Sequence, residues 1–534
     1  MLFSLMHSST YAEPVSPAFP VPTNHTRFQE GLSLLLLCLL LFMILSGHGT
    51  ASAADTPIEA RSWYEIFVRS YQDSDGDRIG DLQGVIARLD DIAWMGFDGI
   101  WLMPVMESVS YHKYDVTDYD SVDDEYGTME DLKALTDACH ERGIALILDL
   151  PINHTGTAHT WFQTAAQALR SGDLENPYID YYHFSSQPLS KYTPLDNSGW
   201  YYEEQFSGGG MPDLNLDSEA VWSEIRSILS FYLVDIGVDG FRLDAVTSYE
   251  SGNTDRNVEL LSRLRQEADA IRPGAFLVGE AWTNLQEIAR YYASGLGAFF
   301  LFPISQAEGY LCRSVRARTP ASKLAGYLED IYATLPDVLL APFLANHDTG
   351  RAIGSLQARS RPELAKFAEL LLNCVGGATF TYYGEEIGMV GSGDDPNKRL
   401  AMYWNDTDMT EQPPGVTQIE YAYPSFDDQR ADRNSLLHYV RQVNLLKARW
   451  PIIAGGTTSV RYADSYVLVL EKRSEENEIL LVFNLSASHD QSWEMPEGYV
   501  TAETLSTGDT APELSGSVLS LPPYSFALLC TDSD

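Results

Sequence analysis

The sequence predicts an α/β fold: a (β/α)8 TIM barrel with an insertion domain after its third strand and a C-terminal antiparallel β-sandwich. Three observations carry this expectation. Short apolar runs alternate eight times with polar loops and amphipathic helical patterns, as a parallel barrel requires. Three of these runs end in an acid, at Asp244 in GFRLDAV, Glu280 in FLVGEAW and Asp348 in FLANHD. A parallel barrel builds its site at the C-terminal ends of its strands. After Trp450-Pro451 the alternation gives way to β-like runs separated by turn residues.

The strand candidates begin at Ser62 and read WYEIFVRS, DGIWLMP, IALILDLPINH, VDGFRLDAV, AFLVGEAW, GAFFLFP, VLLAPFLANHD and ATFTYYGEE. Each apolar stretch is too short for a helix. The segment before the fourth, EAVWSEIRSILSFYLVDIGV, and the one after the seventh, RPELAKFAELLLNCVGG, have clean helical periodicity and end near Gly. One interval breaks the rhythm. Residues 154–212, rich in Tyr, Ser, Gly and Asn and weak in helical period, are expected to form an insertion domain over the site. SYVLVLEKR, EILLVFNLS and SFALLCT then suggest the sandwich. The expected division is a signal peptide at 1–53, barrel at 54–153 and 213–450, insertion at 154–212 and β domain at 451–534.

Composition narrows the partners. The chain has a net charge of −40, with eight Lys among 35 basic residues. That excludes nucleic acid or an anionic membrane as the main partner, and fits either a saline habitat or an ordinary exported protein. Leu32 to Leu45 is almost wholly apolar and is followed by Ala51-Ser52-Ala53, a small-residue cleavage pattern. The apolar stretch is short against the ~20 residues of a spanning helix. A cleaved secretory signal is the expectation and an uncleaved anchor the alternative, the mature chain acting as an extracellular or periplasmic monomer with no stable membrane partner. Cys139, Cys312, Cys374 and Cys530 are widely spaced and read as buried thiols, although export would permit a disulfide.

DLPINH (Asp149 to His154), GFRLDAV (Gly240 to Val246), GEAW around Glu280, ANHD ending at Asp348 and MPDLN (Met211 to Asn215) occur together at barrel positions. In this combination the chain resembles the α-amylase family of retaining glycosidases from Ser62 onward, nearest to secreted bacterial α-amylases of the intermediate MPDLN subgroup. Glycoside hydrolysis with retention needs a carboxylate nucleophile and a nearby carboxylic acid. The resemblance implies Asp244 as nucleophile, Glu280 as general acid/base and Asp348 as a third acid gripping sugar hydroxyls. It also implies that His154 and His347 bond the same sugar, and that Asp149 holds its neighbours. Arg242 lies two residues before Asp244, so on a strand it faces the same way and keeps that carboxylate ionised. SYHKYDVTDYD resembles the family loop that places a Tyr under the sugar, here Tyr114, with His112 beside it. Arg399 reads either as a further site residue or as a surface ion pair.

DSDGDRIGD (Asp73 to Asp81) follows the first strand, with acids at alternate positions around Gly. Such a loop can wrap oxygens around a hard cation. An EF-hand would need Glu at its twelfth position, where this chain has Gly84. The resemblance implies a Ca2+ site using Asp73, Asp75, Asp77, the carbonyl of Ile79, and Asp81. A second family calcium site would involve Asn153 and Asp213. Ala245 after the nucleophile points to α-1,4 rather than α-1,6 cleavage, while Thr247-Ser248 replace the Lys-His found in many relatives. The implied activity is endo-hydrolysis of α-1,4 bonds in starch or glycogen. The alternatives are an exo-acting α-glucosidase or oligo-1,6-glucosidase, a cyclomaltodextrinase or neopullulanase type, and more remotely a non-catalytic membrane-anchored subunit.

Overall fold

Eight short parallel strands form the central sheet of the computed structural model, which describes residues 57–206 and 208–531. The strands are β1 (Ser62–Ile66), β2 (Gly99–Leu102), β3 (Ala145–Leu150), β4 (Gly240–Leu243), β5 (Phe276–Gly279), β6 (Ala298–Phe300), β7 (Leu339–Ala341) and β8 (Thr379–Tyr382). They lie in the order β7-β6-β5-β4-β3-β2-β1-β8. Backbone bonds from Ala378 N to Leu340 O and from Phe380 N to Pro342 O, each 2.9 Å, join β8 back to β7 and close the barrel. All eight predicted strands are present. The predicted signal segment lies outside the described residues, among which no helix is long and apolar enough to cross a membrane.

The barrel interior is packed and not hollow. Trp63 lies between Phe276 and Phe380, with ring centroids 5.3 and 5.7 Å away and nearly parallel planes. Trp101, Ile147, Val278 and Phe300 complete this inner layer. Close packing dictates a glycine at the start of β4: a Cβ on Gly240 would fall 1.8 Å from the carbonyl oxygen of Phe276. The helix before β4 runs Glu219–Ser230, passes into a π-helical turn at Phe231–Ile236 and stops at Gly237 in the left-handed region.

Two features beyond the strand count shape the upper face. After β2 a hairpin of Met106–Ser108 and Val116–Val122 holds the YHKYD loop between its strands. The segment after β3 contains a helix, Thr160–Ser171, although its sequence reads as weakly helical. Its buried face is Phe162, Ala165, Ala166, Ala168 and Leu169, a distinct apolar stripe confined to one short stretch of an interval otherwise rich in Tyr, Ser, Gly and Asn. A three-stranded antiparallel sheet follows, and a bridge between His154 and Asp213 returns the chain to the barrel. From Thr457 onward the chain forms a five-stranded and a three-stranded antiparallel sheet, whose inner faces share Val467, Val469, Val482, Leu519 and Leu521. All four cysteines of the described residues are buried, and Cys139, Cys312 and Cys374 are free thiols.

Candidate active site

Strand pleating decides which side chains face the barrel axis, because alternate residues share a face. Along β1 this gives Trp63 and then Glu65, along β3 Ile147 and then Asp149, and along β5 Phe276, Val278 and, just past the strand, Glu280. The lower residues fill the apolar interior. The upper ones bring charge to the C-terminal rim, where Asp244 also stands one residue beyond β4.

Arg242 ties three of these acids together. Its side chain is wholly buried, with Nη1 2.7 Å from Asp244 Oδ1 and 2.8 Å from Asp149 Oδ1, and Nη2 3.1 Å from Glu280 Oε2. One guanidinium therefore spans the predicted nucleophile and the predicted acid. Burial pushes the Glu280 carboxyl up to about 7; Arg242 opposes this, and Asp244 and Asp348 reinforce it. Ala245 sits at φ 45°, unusual for a residue with a side chain. That turn directs its N–H onto Glu280 Oε2 at 2.9 Å. Asp149 is a structural partner: it accepts from Arg242 and, at 2.9 Å, from the Tyr114 hydroxyl.

A second cluster surrounds Asp348. His347 Nε2 is 3.1 Å from Asp348 Oδ2 and 2.6 Å from the Tyr114 hydroxyl, and its ring stacks on Tyr114 at 5.5 Å between centroids. Arg399 Nη2 donates to Asp348 Oδ1 at 3.0 Å, and Nη1 is 3.0 Å from Asp395 Oδ2. Burial alone would raise Asp348, but His347 and Arg399 outweigh it and hold the carboxyl well below the usual range. Arg399 is thus a buried site residue and not a surface ion pair. Glu65, absent from the sequence-based set, lies behind His347 with Oε1 2.5 Å from Nδ1.

The remaining predicted contacts line the same cleft of about 540 Å3, which His112, Tyr114, His154, Asp244, Glu280 and Asp348 share with Thr247 and Ser248. His112 Nδ1 meets Ser110 Oγ at 3.0 Å, and His154 Nε2 meets the carbonyl of Tyr114 at 3.2 Å. Burial lowers both imidazoles below the ordinary histidine value, leaving them neutral hydrogen-bonding groups at neutral pH. Trp282 and Phe206, 48% and 40% exposed, stand at the cleft's rim. Trp282 is braced by a stacked Phe302 at 4.7 Å.

The acidic loop after β1 gathers carboxylate oxygens of Asp73, Asp75 and Asp81 within 4.8 Å of one another, while Asp77 stays outside that group. Asp81 also caps the helix Leu82–Ala87 through Gly84 N at 2.7 Å. At the second calcium position, Asn153 Nδ2 donates directly to Asp213 Oδ1 at 3.3 Å, and burial pushes Asp213 up to about 7.

A parallel barrel that carries paired carboxyl groups at its C-terminal rim defines a glycoside hydrolase. Residues 65–455 match the family model described as alpha amylase, catalytic domain. Alpha-amylase 3 of Dictyoglomus thermophilum is 35% identical over 436 residues, covering 79% of this chain and 84% of that protein. A 4-alpha-glucanotransferase of Thermotoga neapolitana is 31% identical over 64% of this chain and 74% of its own. The structure of Amy13B from Eubacterium rectale superposes with a TM-score of 0.86 at 37% identity, covering 89% of this chain and 96% of that one. The chain belongs to the alpha-amylase family, whose enzymes act on α-glucans.

Proposed function

We propose that this enzyme is a secreted α-amylase that cuts internal α-1,4 bonds of starch or glycogen with retention at the anomeric carbon. The observation that carries the reading is the shared guanidinium: Arg242 meets both Asp244 and Glu280, and burial pushes Glu280 up to about 7. Two carboxyls held on one cation, one of them kept protonated by burial, suit a double displacement. In the first step Asp244 forms a bond to the anomeric carbon as the glycosidic C–O bond breaks, and the Glu280 proton passes to the departing oxygen. In the second, Glu280 as carboxylate takes a proton from water. The water oxygen bonds to the same carbon, and Asp244 leaves. Asp348 and His154 hold hydroxyls of that sugar, and Tyr114 offers it a flat face. His347, predicted to bond the sugar, instead lies buried behind them with both ring nitrogens on protein groups.

Asp73, Asp75 and Asp81 fit a hard cation, since every donor is a carboxylate oxygen on a tight loop. The Ile79 carbonyl and a shift of Asp77 would complete the set. Bound Ca2+ would supply rigidity to this loop and no step of the reaction. Export rests on the leader pattern at Leu32 to Leu45.

The deciding measurement is the product profile on soluble starch, with maltose and isomaltose in parallel. Rapid loss of iodine colour with mixed maltooligosaccharides is the expected result. Glucose alone, from short sugars and hardly from starch, would move the assignment to an exo-glucosidase. Transfer to a sugar is a second reading, favoured by the small Thr247 and Ser248 in the cleft and by the similar glucanotransferase. It predicts products longer than the substrate when maltotriose is supplied.

A further inference from the structure

We propose that Glu65, from the first barrel strand, is a positioning residue that keeps His347 doubly protonated and thereby fixes Tyr114 and Asp348 for the sugar. The inference rests on the functional reading above for its effect on turnover, and on hydrogen-bond direction for its core. Glu65 and His347 are 1% and 0% exposed, so neither can exchange its partner for solvent. Glu65 Oε1 already accepts the backbone N–H of His347 at 3.4 Å and lies 2.5 Å from Nδ1, an arrangement that suits a carboxylate accepting a proton held on Nδ1. On the other side, the Tyr114 hydroxyl gives its single proton to Asp149 Oδ2 at 2.9 Å. Its oxygen can then only accept from His347 Nε2, 2.6 Å away. Asp348 Oδ2, 3.1 Å from the same nitrogen, is a second acceptor. Neither neutral tautomer donates at both nitrogens; only the imidazolium does.

The surroundings agree. The groups facing the ring are Glu65 from β1, the edge of Trp101 from β2, Tyr114 from the following loop with Asp149 behind it, and Asp348 itself. Arg399 approaches only the His347 carbonyl, at 3.4 Å from Nε. Burial would lower the imidazole, but Asp348 and Glu65 outweigh it and lift it to about 10. Without Glu65 the remaining anion is Asp348, already shared with Arg399. The ring would then lose its proton at lower pH, the Tyr114 hydroxyl would be free to turn toward Nε2, and the proton order of the cluster would reverse.

The test is the titration of His347 in protein carrying 15N-labelled histidine, with the resonance assigned by its loss in His347→Gln. Both ring nitrogens should be protonated at pH 8 in the wild-type enzyme. In Glu65→Gln the midpoint should fall by about 1–3 units, the usual effect of removing an adjacent opposite charge. Glu280 at about 7 already sets the alkaline limb of kcat/KM, so in Glu65→Gln that limb should steepen above pH 7, with Glu65→Asp restoring part of the change. A neutral His347 in the wild-type enzyme at pH 8 would overturn the proposal, and that observation needs no variant. So would a Glu65→Gln ring titration and pH profile that overlay the wild type. A wild-type enzyme inactive on every α-glucan would remove the functional reading instead, and the ring titration would still decide the role of Glu65 without turnover.

Discussion

Arg242 bears on both halves of the reaction, so residues around it separate the roles of the acids. Asp244→Asn keeps the size of the side chain and removes the attacking charge. Turnover of starch should fall at least about 10³-fold with the circular dichroism unchanged; retained activity would remove Asp244 as nucleophile. In the proposed mechanism Glu280 acts first as an acid and must begin protonated. With its carboxyl at about 7, kcat/KM should decline above that pH. Glu280→Gln should cost about 10²–10⁴-fold on starch and abolish this alkaline decline. A variant retaining the same limb would assign it to another group. Asp244, Glu280 and Asp348 were legible in the sequence because each ends a strand run. Arg399 was ambiguous and Glu65 unnoticed, since their partners lie 51 and 282 residues away. The pleat of WYEIF does place Glu65 inward beside Trp63, and that signal was available.

Among the elements, the eight barrel strands were legible because both their faces are buried and they read as apolar runs. The helix Thr160–Ser171 was not, because its apolar stripe is one short stretch within an interval whose composition as a whole reads as loop. The hairpin around the YHKYD loop is stabilised by ion pairs to the segment just after its second strand: Lys113 Nζ is 2.7 Å from Asp123 Oδ2 and 2.8 Å from Glu125 Oε2. The acidic loop was legible as a pattern, but its geometry divides the four acids, and Asp77 stays outside the group. If Ca2+ holds this loop, chelation should lower Tm. A site loaded at about 100-fold over its Kd contributes ~2.7 kcal/mol, or about 3 °C in a chain of this size. Asp75→Asn should lose most of that difference while sparing the helix cap made by Asp81. Equal melting with and without chelator would count against the site.

At the scale of the whole molecule, two kinds of charge oppose the fold as pH rises. The net charge of −40 repels itself across the surface. Inside, burial holds Asp213, Glu280, Glu385 and Glu386 up to about 7 and Glu369 up to about 8. A carboxyl raised in the folded state contributes stability that is complete below its unfolded value, near 4. That stability is lost as pH climbs through the folded value. Lys447 and Lys472, lowered by burial to about 7, work the other way: their contribution grows only as pH rises from about 7 toward 10.5. Between pH 5 and 8 the acids dominate, so Tm should fall across that window. Salt separates the two causes, because it screens exposed charges and leaves desolvated carboxyls almost untouched. Melting scans at pH 5 and 8, each with 0.05 and about 1 M NaCl, should show salt recovering only part of the loss at pH 8. Full recovery would assign the whole effect to surface repulsion, and a Tm that rises from pH 5 to 8 would contradict both causes.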